Sequence, residues 1–241
     1  MLKIIDNLTD IRRRIADAEA EFNREPGSVK LIGVTKKQPM GKLKVVAEAQ
    51  DDDEGEGGQG KGLRVFGENH LQEALAKQSR LKSLDIEWHF LGAIQSNKTE
   101  AIAKYFNWVQ SIDRAKIALR LSEQRPADMD PINILLQVNV DDEDTKAGVA
   151  FEEIPMIANF IKDLPNVKLR GLMCIPAIRR EFDEQREPFR KLHEAFEELK
   201  ANGFPDLDTL SMGMSHDFEA AIAEGSNMVR IGAAIFGSSG I

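Results

Sequence analysis

One cysteine, one tyrosine and two tryptophans occur in 241 residues. With Cys174 alone no intramolecular disulfide can form, so a reducing, cytoplasmic setting is expected. No apolar run approaches the roughly 20 residues needed to span a bilayer. The opening "MLKIIDNLTDIRRRIADAEAEF" is too charged for a signal peptide and reads as an amphipathic helix. A basic excess is also missing. The formal net charge is −8, which leaves no surplus of cations to displace counterions from a nucleic acid. Half of that charge is local. "DDDEGEGGQGKG", 51–62, has five carboxylates, one lysine and no apolar residue. It therefore reads as an acidic, glycine-rich surface insertion. Its oxygens are bunched rather than spaced as in a calcium-binding loop, which disfavours a metal site.

What the chain does have is alternation. Strand-like runs at Leu31–Thr35, Leu63–Gly67, Glu87–Gly92, Trp108–Ile112, Ile132–Val140, Val167–Ile175, Leu207–Gly213 and Met228–Gly237 are separated by stretches with helical spacing of apolar residues. Eight such units behind one extra N-terminal helix predict an α/β fold, a single-domain (β/α)8 TIM barrel over residues 1–241. A doubly wound open sheet is the alternative. It would carry a G-x-G-x-x-G turn after its first strand, where this chain has "TKKQP".

In a barrel the chemistry gathers where strands end and βα loops begin. The first strand ends on Lys36 and Lys37. Parity alone allows either to point inward, and Lys36 is favoured as the nearer to the strand end. An inward lysine is costly unless paired, neutral or covalently linked, and lysines so placed form Schiff bases with carbonyl compounds. Two solvated loop lysines are the plain alternative. After strand seven, "SMGMS" offers small residues around Gly213 and a helix start at Ser215; after strand eight, "RIGAA" offers the N–H groups of Gly232 and Ala233. Barrels often hold phosphate in these two loops. An amine at strand one and a phosphate site opposite describe a phosphorylated aldehyde, and pyridoxal 5′-phosphate fits that description.

The motifs "VTK", "FGEN", "WHFLGAIQSNK", "LRGLMCIPA" and "SMGMSHDFEAAIAEGSNMVRIGAAIFG" strongly resemble the pyridoxal-phosphate homeostasis protein family, from the first helix nearly to the last residue. The resemblance implies the barrel of alanine racemases without their second, β-rich domain. It also implies that Lys36 is the Schiff-base lysine and that Asn69 lies near the cofactor ring. Ser211, Met214, Ser215, Gly232 and Ala233 would surround the phosphate, and Arg230 would face the pyridine nitrogen. The chain departs from the family in three places. The acidic insertion lengthens the first helix-to-strand loop on the barrel's bottom face. His70 stands where many relatives have tyrosine, and Ala233 lacks a hydroxyl that some relatives carry.

Arg230 bears on mechanism. Carbanion chemistry on pyridoxal phosphate is best served by a protonated pyridine nitrogen, and a guanidinium cannot supply the acidic partner that favours it. Racemisation also needs a second acid–base group. Tyr105 lies in an amphipathic helix, His89 within a strand and His193 on a charged helix face, so all three read as structural. His216 is a weak acid–base candidate, Cys174 reads as a small apolar residue, and no covering domain is expected after strand eight. A storage and delivery protein, monomeric and serving pyridoxal-phosphate-dependent apoenzymes, is therefore favoured. An open-site amino-acid racemase and a sugar-phosphate aldolase-type barrel are the alternatives.

Overall fold

Eight parallel strands close on themselves in chain order in the computed structural model, which describes residues 2–49, 62–142 and 147–237, Leu2 by its backbone alone. They are β1 (Lys30–Val34), β2 (Val65–Glu68), β3 (Glu87–Phe90), β4 (Trp108–Ile112), β5 (Ile132–Val138), β6 (Val167–Cys174), β7 (Thr209–Ser211) and β8 (Met228–Ile231). Between them on the outside run α2 (Met40–Ala47), α3 (Leu71–Arg80), α4 (Thr99–Tyr105), α5 (Ala115–Gln124), α6 (Ile154–Lys162), α7 (Phe182–Ala201) and α8 (Phe218–Ala223). Apart from Gly62, the acidic insertion expected at 51–62 lies outside the described residues.

The eighth unit differs from its sequence-based expectation. The run Met228–Gly237 is not one strand: β8 stops at Ile231, and Ala233–Phe236 forms a short helix, α9. Gly232 interrupts the strand with a backbone in the right-handed helical region. The turn of helix then buries Ile235 and Phe236 against the core.

Four residues cannot cover the outside of β8 and β1, and the N-terminal helix α1 (Leu2–Glu21) fills the gap. Leu8, Ile11, Ile15 and Ala18 recur at spacings of three and four, so they share one face, and all are buried. That face packs against α2, α8 and α9, and Asn7 Nδ2 donates to Ile235 O at 3.0 Å. Each fully buried aliphatic side chain here stabilises by about 1.5–3 kcal/mol.

Strand alternation divides the side chains between two cores. Phe66, Val109, Ile134 and Val229 point outward to the helices, where most of the apolar core lies. A smaller cluster of Ile32, Trp108, Leu135, Met173 and Met228 fills the barrel itself.

Candidate functional site

Register settles which residues face inward. Ile32 belongs to the barrel interior, whereas a Cβ on Gly33 would meet Leu63, Phe66 and Phe236 of the outer layer. Thr35 is again outward, its Oγ1 donating to Glu68 Oε1 at 2.5 Å. The alternation therefore gives the inward positions to Ile32, Val34 and Lys36. It ends there, because Lys37 adopts a left-handed conformation with φ 57°.

At the C-terminal ends of the strands lies a cavity of about 500 Å³, lined by Val34, Lys36, Lys37, Gln38, Asn69, His70, Gly232, Ala233 and Gly237. That volume falls within the roughly 300–1,000 Å³ of small-molecule sites. Lys36 thus shares one cavity with Asn69, Gly232 and Ala233, whose codes are far apart in the chain. Three features suit a phosphorylated aldehyde. The exposed amine of Lys36 stands just beyond the end of β1. Gly232 and Ala233 open a helix whose first-turn N–H groups have no intrahelical acceptor. The buried Oδ1 of Asn69 has no hydrogen-bond partner among the described residues, so an acceptor waits in the wall.

The other expected residues sit elsewhere. Met214 and Ser215 are half-buried, and the Met214 N–H donates to Asp217 Oδ1 at 2.6 Å. Ser211 and Arg230 lie deeper, inside the barrel: Arg230 pairs in register with Ile32, two residues below Val34. Arg230 Nη1 donates to Ser211 Oγ and Nη2 to Cys174 O, both at 2.8 Å. Burial lowers the affinity of this guanidinium for its proton, and the charge of Asp217 works in the other direction. Burial also pushes the Cys174 thiol up to about 12, which makes it inert, as a small core residue should be. His216 is exposed, and Tyr105 is exposed on α4, away from the cavity lining.

Below Arg230 a polar column descends through the barrel. Ser211 Oγ donates to Gln110 Oε1 at 2.6 Å, and Gln110 Nε2 contacts His89 Nδ1 at 2.8 Å. His89 Nε2 contacts Glu87 Oε1 at 2.7 Å, and Lys30 Nζ donates to the same oxygen at 3.0 Å. Since the Gln110 amide donates to Nδ1, a neutral His89 carries its proton on Nε2 and gives it to Glu87. His89 is fully buried and stacked on Trp108 at 5.3 Å, and burial lowers its pKa. Burial pushes the Glu87 carboxyl up, but hydrogen bonds and charge from His89 and Lys30 outweigh it and bring the group down to about 2.

The sign follows from linkage. Glu87 is depressed from 4.5 to about 2, so its stabilising share is complete above 4.5 and is lost as pH falls toward 2. His89, also depressed, adds to acid destabilisation below its ordinary value of 6.5. Glu87→Gln is expected to cost about 1 kcal/mol at pH 7, discounted for partial solvent exposure. It should also flatten the stability profile between pH 4.5 and 2. Urea unfolding across that range measures both, and an unchanged acid limb would count against the assignment.

A sequence profile described as the alanine racemase N-terminal domain matches residues 7–240. The chain is 48% identical over 238 residues to the pyridoxal phosphate homeostasis protein of Pseudomonas aeruginosa, covering 99% of this chain and 96% of that one. It is 43% identical over 241 residues to the protein of the same name from Escherichia coli K12, covering 99% and 97%. Among solved structures, PipY of Synechococcus elongatus PCC7942 with PLP bound matches with a TM-score of 0.80 at 32% identity, covering 97% of this chain and all of that one. Alanine racemase from Corynebacterium glutamicum, at 19% identity and a TM-score of 0.67, shares the fold alone, and this chain spans 62% of it.

Proposed function

This chain belongs to the family of pyridoxal phosphate homeostasis proteins, and from that premise we propose that it holds pyridoxal 5′-phosphate through Lys36 and delivers it without turning over a substrate. The observation that carries this reading is one cavity of about 500 Å³ shared by the Lys36 side chain and the first turn of α9. Lys36 would hold the aldehyde: its ammonium would give one proton to solvent, its nitrogen would bond to the aldehyde carbon, and the two remaining N–H hydrogens would leave with the carbonyl oxygen as water. Gly232 and Ala233 would receive the phosphate on their N–H groups, and Ser215, half-buried in the strand-seven loop outside the cavity lining, would be a further donor on the side facing it. Glycine suits position 232 because a Cβ there would come within 3.3 Å of Val34 O and crowd the site. Asn69 borders the ring.

Bound pyridoxal phosphate supplies an electron sink that works best with a protonated ring nitrogen. In this reading Arg230 is the floor beneath that nitrogen. A guanidinium only donates hydrogen bonds, so it leaves the nitrogen unprotonated and the sink weak. Ser211 holds Arg230 in place: its own proton is committed to Gln110, so its lone pair faces the guanidinium. The one imidazole among the residues lining the cavity is that of His70, exposed at the start of α3. Storage and release follow from such a site more readily than racemisation. Delivery to pyridoxal-phosphate-dependent apoenzymes, a monomeric state and a cytoplasmic location complete the proposal. Among the described residues no helix is long and apolar enough to cross a membrane.

Borohydride reduction of the loaded protein followed by peptide mapping tests the covalent half. A pyridoxyl adduct on Lys36 is expected, and its absence would overturn the reading. A racemisation assay with alanine tests the other half: sustained turnover that disappears in Lys36→Ala would make the protein an enzyme.

A further inference from the structure

Beneath the strand-one lysines lies a charged cluster that none of the proposed cofactor contacts uses. Lys77, on α3, is 5% exposed. Its Nζ donates to Thr35 O, Glu68 Oε1 and Glu73 Oε1, each at 2.6 Å. The same carboxylates also reach the end of β1 directly. Thr35 Oγ1 donates to Glu68 Oε1 at 2.5 Å, and the Lys37 N–H donates to Glu73 Oε1 at 2.6 Å. The residues immediately before and after Lys36 are thus fastened to one ammonium and its two carboxylates.

Packing alone would not call for charge at this place. A buried ion pair is often matched in stability by apolar residues of similar volume. An apolar trio, however, could neither bond the Thr35 carbonyl nor accept the Lys37 N–H. That second bond matters because Lys37 is in the left-handed region, which L side chains seldom adopt. With Glu73 holding it there, the strand's alternation stops directly after Lys36.

We propose that Lys77 and Glu73 are positioning residues which fix where the Lys36 amine stands in the cavity and keep the neighbouring Lys37 amine from competing for the aldehyde. This rests on the function proposed above, and its role is geometric: neither residue lines the cavity.

The test mixes metal-free apoprotein with pyridoxal 5′-phosphate, follows growth of the visible band, then reduces with borohydride and maps the adduct. Wild type is expected to react at residue 36 alone. Glu73→Ala changes a half-buried surface position and is chosen to preserve the fold, while Lys77→Met removes the buried cation. Both are expected to slow band formation about tenfold or more, because a misplaced nucleophile loses its near-attack geometry. Adduct is expected to appear on Lys37 as well. Lys77→Arg, which keeps the charge, should recover part of the rate, and Glu73→Ala should speed hydrogen exchange at the Lys37 amide with no cofactor present. If Lys77→Met does not fold, Glu73→Ala decides alone. A rate within about threefold of wild type, with adduct confined to residue 36, would overturn the positioning role while the cofactor assignment stood. A wild-type protein that never gains the band would instead remove the cofactor assignment, and the positioning role with it.

Discussion

Lys36→Ala is expected to fold as wild type does and to retain no covalent pyridoxal phosphate. The side chain is exposed, so its truncation should change stability by no more than about 0.5 kcal/mol. What disappears is the only link that survives dilution. The phosphate contacts offered by Gly232 and Ala233 remain, but they exchange with solvent once the covalent anchor is gone. After gel filtration and borohydride reduction, the intact mass of the variant should show no pyridoxyl increment, and its visible band should be absent. Lys37 is not expected to substitute, since its backbone N–H is tied to Glu73 and its φ of 57° takes it out of the strand's alternation. An undiminished adduct mass in Lys36→Ala would place the linkage on another residue.

Gly92→Ala is expected to be the most damaging methyl group that can be added near the site. A Cβ on Gly92 would stand 2.0 Å from Asn69 O and 2.8 Å from its carbonyl carbon, and real Cβ atoms essentially never approach within 3.0 Å. The obstacle is backbone, so no side chain can swing aside. The turn after β3 is also pinned on both sides: Ser111 Oγ donates to Gly92 O at 2.6 Å, and the Leu91 N–H to Glu68 O at 2.8 Å. Relieving the clash must break one of these bonds or displace Asn69. A cost of about 2–4 kcal/mol follows, equivalent to a Tm lower by roughly 5–15 °C for a chain of this size. Cofactor retention should fall with it, because Asn69 lines the cavity. Gly41→Ala is the control. A Cβ there meets nothing within 4 Å, so the helical position should gain about 0.5–1 kcal/mol. A Gly92→Ala protein melting within about 2 °C of wild type would show that the turn yields more easily than this geometry allows.

Much of the scaffold was legible in the chain because it is written locally. Alternating apolar runs and helical periodicity give eight strands in the right order, and the polar residues at their ends mark one face. The last unit was less legible. "MVRIGAAIFG" is apolar throughout, and short apolar runs do not distinguish strand from helix, so the break at Gly232 emerges only from the backbone. Inwardness at β1 needed a second strand: Lys36 and Lys37 are equivalent by parity until Ile32 is seen among Trp108, Leu135 and Met173. The cavity walls contributed by Gln38 and Gly237 carry no signature in sequence. His89 reads correctly as a core residue, but its place in a column from Arg230 to Lys30 does not, because all the bonds of that column except His89–Glu87 cross between strands far apart in the chain. Lys77 was invisible for a related reason. On paper it is one of many lysines on an amphipathic helix, and only the closeness of α3 to the end of β1 turns it toward Thr35.

The way α1 completes the outer layer has a consequence for how the molecule comes into being. Asn7 finds its partner at Ile235, 228 positions later. A ribosome adding about 5–20 residues per second releases the first of these long before the second exists. The oily stripe of Leu8, Ile11 and Ile15 can meet α2 early, but its cover from α8 and α9 must wait until those helices emerge. Ring closure is thus deferred until β8 and α9 have been made, and chaperone demand should be greatest in the interval before it.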